Sequence, residues 1–324
     1  MNNRPSASAE ERQYTGLLFI GDPHLEGRVP GFRCDDYPRV ILEKFRWSLE
    51  YARANRLLPV VLGDLFDKPR DNPTWMLGEL IVMLSGIECV GIYGNHDCAE
   101  PQLTDDDSLS LLVKSKGLRL LDDNPWSGQM GGRTVVVGGS SYRRDIPRAF
   151  HSSVVASRDS PLVLWVTHHD IKVPGYEEQG RYAPRELAGI DLVINGHIHR
   201  VLEDVQFGRT VWITPGNIAR RSRSDAAAQH TPALLRIDVR SNGFTRTMVE
   251  VPHSPAADVF HPAIADAFDH ADDGGSRFIT GLCQLQSLRT ADGSGLREFL
   301  EKNLAQFEQS VQDAVTDLAK EIAP

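Results

Sequence analysis

Five short segments supply side chains able to hold divalent metal. They are Asp22-Pro23-His24, Gly63-Asp64-Leu65-Phe66-Asp67, Gly94-Asn95-His96-Asp97, His168-His169 and Gly196-His197-Ile198-His199. The donors on offer are carboxylate and amide oxygens and imidazole nitrogens, with no thiolate. That set suits manganese, iron or zinc better than copper or an iron–sulfur cluster. Two adjacent ions of this kind acidify water and offset charge on phosphate oxygens, the chemistry of phosphate-ester cleavage.

The segments need a scaffold that gathers them. Asp22 follows the apolar run Leu17–Ile20, and Asp64 follows Pro59–Leu62. Asn95 follows Ile87–Tyr93, His168 follows Leu162–Thr167, and His197 follows Leu192–Ile194. Open α/β sheets hold ligands in loops at the carboxyl ends of their strands. Each segment meets that rule, so five strands are expected to deliver their donors to one edge.

Between the early strands, residues 37–56 carry Ile41, Phe45, Leu49 and Ala52 at helical spacing. Asn72-Pro73 reads as a helix start with a capping amide, followed by a Leu77, Leu80, Ile81, Leu84 stripe and a stop at Gly86. Further strands are expected at Thr134–Val137 and Val211–Thr214. Leu234–Val239 and Phe244–Val251 should pair across a Ser241-Asn242-Gly243 hairpin turn. The predicted architecture is a layered α/β sandwich, two sheets inside and helices outside.

Residues 1–13 read as a loose leader and 14–252 as the catalytic domain. Residues 253–324 form a Pro-, Ala- and Asp-rich linker, then a helical segment with apolar residues from Phe299 to Leu318. That last segment suits a cap, a docking helix or a homodimer contact.

Of 324 residues, 41% are hydrophobic and 24% charged, an ordinary globular balance. The formal charge of -9 opposes bulk electrostatic binding of nucleic acid. Two bound dications would reverse that locally. Four scattered cysteines without a CxxC pair, and no apolar leader, predict reduced thiols and a cytoplasmic protein. No stretch is apolar enough to span a membrane.

Together the five ordered segments resemble the calcineurin-like metallophosphoesterases over roughly residues 17–217. The resemblance implies a four-layer α-β-β-α sandwich. It also implies a dinuclear site, in which Asp22, His24 and His199 hold one ion and Asn95, His168 and His197 the other. Asp64 would bridge them. His168 and His169 compete for one role, and the family pattern favours His168. His96 would contact phosphate and protonate the leaving oxygen, with Asp97 orienting it and Asp67 orienting the metal ligands. The ions expected are Mn2+, with Fe2+, Zn2+ or Mg2+ as alternatives.

The flanks Asp22-Pro23-His24-Leu25 and Gly63-Asp64-Leu65-Phe66-Asp67-Lys68-Pro69, with the Val29–Tyr37 insert, look like the SbcD-type DNA-repair nucleases and their phage relatives. That likeness implies DNA as substrate and an SbcC-type ATPase as partner. Three arginine groups could track a nucleic-acid backbone: Arg143, Arg144 and Arg148; Arg181, Arg185 and Arg200; and Arg220, Arg221 and Arg223. Tyr142, Tyr176 and Tyr182 could stack on bases. The alternative substrate is a nucleotide or other small phosphate ester. A non-catalytic scaffold is disfavoured by the intact ligand set.

Overall fold

The computed structural model describes residues 14–30, 33–151, 161–221, 229–261 and 312. The expected leader (1–13), the helical segment 295–322 apart from Gln312, Arg223 and Cys283 lie outside the described residues. The chain divides into two compact units. One contains every strand among the described residues. The other draws on residues 29–37, 221–229 and the chain from Ser254 onward.

The first unit is built on two six-stranded mixed sheets. In the first sheet, β1 (Gly16–Ile20), β2 (Leu57–Val61), β3 (Val90–Gly91) and β4 (Arg119–Leu120) run parallel. β11 (Ala233–Arg240) pairs antiparallel with β1 and, through a hairpin, antiparallel with β12 (Gly243–Glu250). In the second, β6 (Arg133–Ser140), β7 (Leu162–Thr167), β8 (Leu192–Asn195) and β10 (Thr210–Ile213) run parallel. β5 (Trp126–Met130) and β9 (Val205–Phe207) close its edges in antiparallel pairing.

Side chains alternate along a strand, so each strand feeds two faces. Leu17, Phe19, Leu58, Val60 and Val90 meet Val135, Val137, Leu164, Val166 and Ile194 in one core between the sheets. The opposite residues, Leu18, Ile20, Leu57 and Val61, are equally buried. Burial on both faces explains why these strands read as unbroken apolar runs. Helix α1 (Tyr37–Ala54) buries Ile41, Leu42, Phe45, Leu49 and Ala52. The outer face of the second sheet, with Val136, Val163, Trp165 and Trp212, is covered by Ile146, Ile171, Val173, Leu187 and Ile198. Those residues come from connecting segments, among the described residues, rather than from a regular helix.

The expected α/β sandwich of two sheets with helices is observed, and three local expectations change. Helix α2 (Thr74–Leu84) has Pro73 at its cap and no side-chain cap bond. The Asn72 amide instead donates to the Lys68 carbonyl and Ser108 Oγ, at 2.8 and 2.9 Å. The buried stripe of α2 is Met76, Leu80, Met83 and Leu84, because a helix apolar nearly all round leaves its rotation to the surroundings. The third strand is only Val90–Gly91, although the Ile92 amide still reaches the Val61 carbonyl. Strands β4, β5 and β9 and helix α3 (Ser108–Lys114) carry little periodicity and were not expected.

In the second unit, the Arg33 guanidinium lies over the Tyr37 and Phe260 rings, 4.8 and 5.3 Å from their centroids, and pairs with Asp35. Cys34 is an exposed free thiol, whereas Cys89 and Cys98 in the first unit are buried and free. No described helix is long and apolar enough to cross a membrane.

Candidate metal centre

The donors stand where the strands end. Asp22 and His24 follow β1, Asp64 and Asp67 follow β2, and Asn95 and His96 follow β3. His168 follows β7, and His197 and His199 follow β8. The backbone is forced there. Of eight non-glycine residues with positive φ among the described residues, four are Asp22, His24, Asp64 and His197. Left-handed backbone costs an ordinary residue roughly 1–2 kcal/mol, so its concentration here marks a site under constraint. The flanking glycines are needed for room. A Cβ on Gly94 would sit 2.1 Å from Asp64 Oδ1, and one on Gly63 would sit 2.5 Å from His168 Nδ1.

Two ligand clusters share Asp64, and His24, Asp67 and His96 gather in a third beside them. Asp22, His24, Asp64 and His199 bring donor atoms within 4.8 Å of one another, as do Asp64, His168 and His197. Asn95 joins the second cluster, its Oδ1 3.2 Å from His168 Nε2 and 3.1 Å from His197 Nδ1. Asp64 Oδ2 is 3.2 Å from His168 Nε2 and 3.7 Å from His24 Nε2. His24 Nε2 and His199 Nε2 approach to 3.0 Å. All seven sequence-predicted donors are thus brought together.

Hydrogen bonds outside the clusters set which nitrogen points in. His168 Nδ1–H donates to the Leu62 carbonyl at 2.8 Å, turning Nε2 inward. His197 Nε2–H donates to Asp170 Oδ1 at 2.8 Å, turning Nδ1 inward. His96 Nδ1–H donates to the Asp67 carbonyl at 2.8 Å, and the His96 amide donates to Asp64 Oδ1, also at 2.8 Å. Asp67 Oδ1 lies 3.4 Å from His24 Nδ1.

The electrostatics call for cations. Burial pushes the Asp22 carboxyl up to about 8, against the attraction of His168. Its Oδ2 is buried without a hydrogen-bond partner. Burial and the Asp64 charge push Asp97 up to about 7. Burial alone would raise Asp64, but His168, His24 and His96 hold it far below the carboxylate range. Burial alone would lower His168, but Asp64 and Asp22 raise it to about 10. An unpartnered carboxylate oxygen facing inward-turned imidazoles is a fit for divalent cations.

One expected role changes. Asp97 does not orient the His96 ring. Its carboxylate accepts the backbone amides of Phe66, Gly94 and Leu65 at 2.9, 2.9 and 3.3 Å. It ties the loop after β2 to the loop after β3, and the Asp67 carbonyl holds His96 instead. His169 turns away from the donors. Its Nε2–H donates to the Arg144 carbonyl at 2.9 Å and its ring meets Tyr182 edge-on. The arginines also divide. Arg220 is buried and donates to the His230 carbonyl, so it packs rather than tracks a ligand. Arg185 and Arg200 donate to the carbonyls of Ile146 and Gly175.

Asp170 was missed by sequence reasoning, although a carboxylate directly after His168-His169 was a usable signal. Carboxylates that fix a metal-binding imidazole are commonly worth 10–100-fold in metal affinity. We expect Asp170→Ala to weaken metal binding by roughly that factor in a calorimetric titration, with partial recovery in Asp170→Asn. Unchanged affinity would count against this role.

His169 yields a pH prediction. Burial holds its imidazole down to about 4, from an ordinary 6.5. The folded state excludes a proton that the unfolded chain takes up, so this stabilisation is fully present above pH 6.5. It is lost as pH falls toward 4, a change of roughly 3 kcal/mol. In metal-free protein, the Tm advantage of wild type over His169→Gln should shrink between pH 7 and 4.5. A gap independent of pH would refute this.

Two mixed sheets with Asp, Asn and His donors gathered at the strand ends define a metallophosphoesterase architecture. The calcineurin-like phosphoesterase family model matches residues 16–201, and the chain belongs to that family. It is by that membership a metal-dependent phosphoesterase. Solved structures similar to it include a hypothetical protein from Thermus thermophilus, at 13% identity and TM-score 0.41, with 73% of this chain and 100% of that one covered. Another is the sulfate thiohydrolase SoxB of Thermus thermophilus in complex with glycerol, at 15% identity and TM-score 0.38, covering 74% of this chain and 54% of that one. A third is Chaetomium thermophilum Vps29, at 12% identity and TM-score 0.30, covering 75% and 98%. No curated protein matches the chain.

Proposed function

We propose that this protein is an SbcD-type nuclease that hydrolyses DNA phosphodiesters with a pair of divalent ions, Mn2+ foremost. The observation that carries the reading is Asp64, whose carboxylate belongs to both ligand clusters. A single ion would not require a residue shared in this way. Ions held there would supply Lewis acidity and acidified water.

The rest falls to the chain's own groups. Asp22, His24, Asp64 and His199 form one binding set, and Asp64, Asn95, His168 and His197 the other. His96, partly exposed beside both, has Nδ1 committed to the Asp67 carbonyl. Its Nε2 is left to meet the phosphate and pass a proton to the departing oxygen. Arg143, Arg148 and Arg181 are exposed in segments that follow strands β6 and β7. Guanidinium groups so placed suit a chain of phosphates better than a single small ester. An SbcC-type ATPase and a second copy of the chain are the partners this reading brings with it.

The alternative, a small-ester phosphodiesterase, is favoured by the net charge of -9. The deciding experiment supplies Mn2+ and compares labelled single-stranded DNA, blunt duplex and a chromogenic small diester, with Asp64→Ala as blank. DNA cleavage absent from the blank supports the nuclease. Diester hydrolysis without DNA cleavage supports the alternative.

A further inference from the structure

The segment after β7 carries two exposed groups tied to the metal centre by separate contacts. Asp170 Oδ1 accepts from His197, while Asp170 Oδ2 lies 3.8 Å from Arg181 Nε. The Asp170 carbonyl also accepts the backbone amides of Arg181 and Tyr182, at 2.8 and 2.9 Å. Ile171 bridges to Tyr182, and the Lys172 amide donates to the Tyr182 carbonyl at 2.8 Å. The turn between them is therefore pinned at its base. Gly180 lets the strands of this turn close, since a Cβ there would be 2.4 Å from Lys172 Cα.

The side chains at this base face solvent. The Arg181 side chain is 82% exposed, and Tyr182 is 42% exposed. The Tyr182 ring is nevertheless held, its centroid 4.9 Å from His169 at 85°. His169 is itself buried and fixed to the Arg144 carbonyl. An exposed ring braced edge-on by a buried imidazole leaves a face free at little entropic cost. The Asp170–Arg181 pair is long and solvated, so it is weak. A phosphate offering two oxygens would outcompete it.

We propose that Arg181 and Tyr182 form a subsite for the nucleotide next to the scissile bond, Arg181 taking its phosphate and Tyr182 stacking its base. This deepens the nuclease reading and rests on it. The subsite is anchored to the second ligand cluster through Asp170 and through the His168-His169 peptide. Stacking on an aromatic ring is tolerant of sequence, so the subsite takes any base.

The test is steady-state hydrolysis of a labelled single-stranded oligonucleotide with Mn2+ over a range of salt. Arg181→Ala and Tyr182→Ala should each raise KM about tenfold, with kcat changed less than about twofold. Arg181→Ala should also make the negative slope of log(1/KM) against log[salt] shallower by about 0.7, one single-strand phosphate contact. Tyr182→Phe should restore most of the KM, and Arg181→Lys part of it. Arg53→Ala, a charge removed from the exposed end of α1, should behave as wild type. Wild-type KM in both alanine variants would overturn the subsite while leaving the nuclease intact. So would a Tyr182→Phe variant as poor as alanine, or an equal loss in Arg53→Ala. Wild-type protein that hydrolyses a small diester and no DNA would overturn both.

Discussion

Asp64→Ala is expected to lower phosphoester hydrolysis by about 10⁴-fold or more and to leave the protein with depleted metal. The carboxylate is fully buried and belongs to both donor clusters. Removing it takes one ligand from each ion position at once, and metal catalysis is worth several kcal/mol. It also withdraws the charge that holds His168 protonated in the metal-free state, so the apoprotein changes too. Asp64→Asn provides the isosteric control, since it keeps the oxygen that accepts the His96 amide. Metal content by atomic spectroscopy, measured alongside rates, decides the matter. Stoichiometric metal with near-normal rate in either variant would remove Asp64 from the centre.

His96→Ala should separate metal binding from turnover. Metal content should stay at the wild-type level while kcat falls by ~10²–10⁴, the usual worth of a positioned acid or base. The ring lies outside the two clusters that share Asp64; it gathers with His24 and Asp67 instead, and its Nδ1 is taken by the Asp67 carbonyl. It meets His24 edge-on at 4.8 Å between centroids, so its loss opens space beside a ligand without removing one. His96→Gln fills that space with a side chain unable to shuttle a proton in the same way. Both variants should share the kcat loss. The loss should be smallest on substrates whose leaving group needs no proton, such as a nitrophenolate ester. An equal loss on good and poor leaving groups would mean His96 binds substrate rather than acting as acid.

The two predictions rest on different kinds of evidence, and the contrast bears on what a sequence carries. Donor types and strand ends were legible because both are local. Apolar runs closed by Gly-Asp, Gly-Asn or Gly-His announce a strand that stops and a polar loop that follows. Strands β1, β2 and β8 are legible within a residue or two on that basis. Strand β4, of two half-buried residues, offered no pattern to read. Helix α2 offered too much, being apolar on most sides, and its buried face followed from neighbours rather than period.

Within the site the same division holds. That Asp22, His24, Asp64, Asn95, His168, His197 and His199 offer oxygen and imidazole donors at strand ends was legible in the sequence, His168 being preferred to His169 only through the family resemblance. Which nitrogen each imidazole turns inward, and which carboxylate serves a backbone rather than a ring, was decided only by tertiary structure. Asp97 stands beside His96 in the chain, yet its oxygens go to amides 31 and 32 residues away. His197 takes its anchor from Asp170, 27 residues back. A hydrogen bond depends on distance and direction in space, and adjacency in sequence sets neither, least of all where the backbone turns left-handed after β1, β2 and β8.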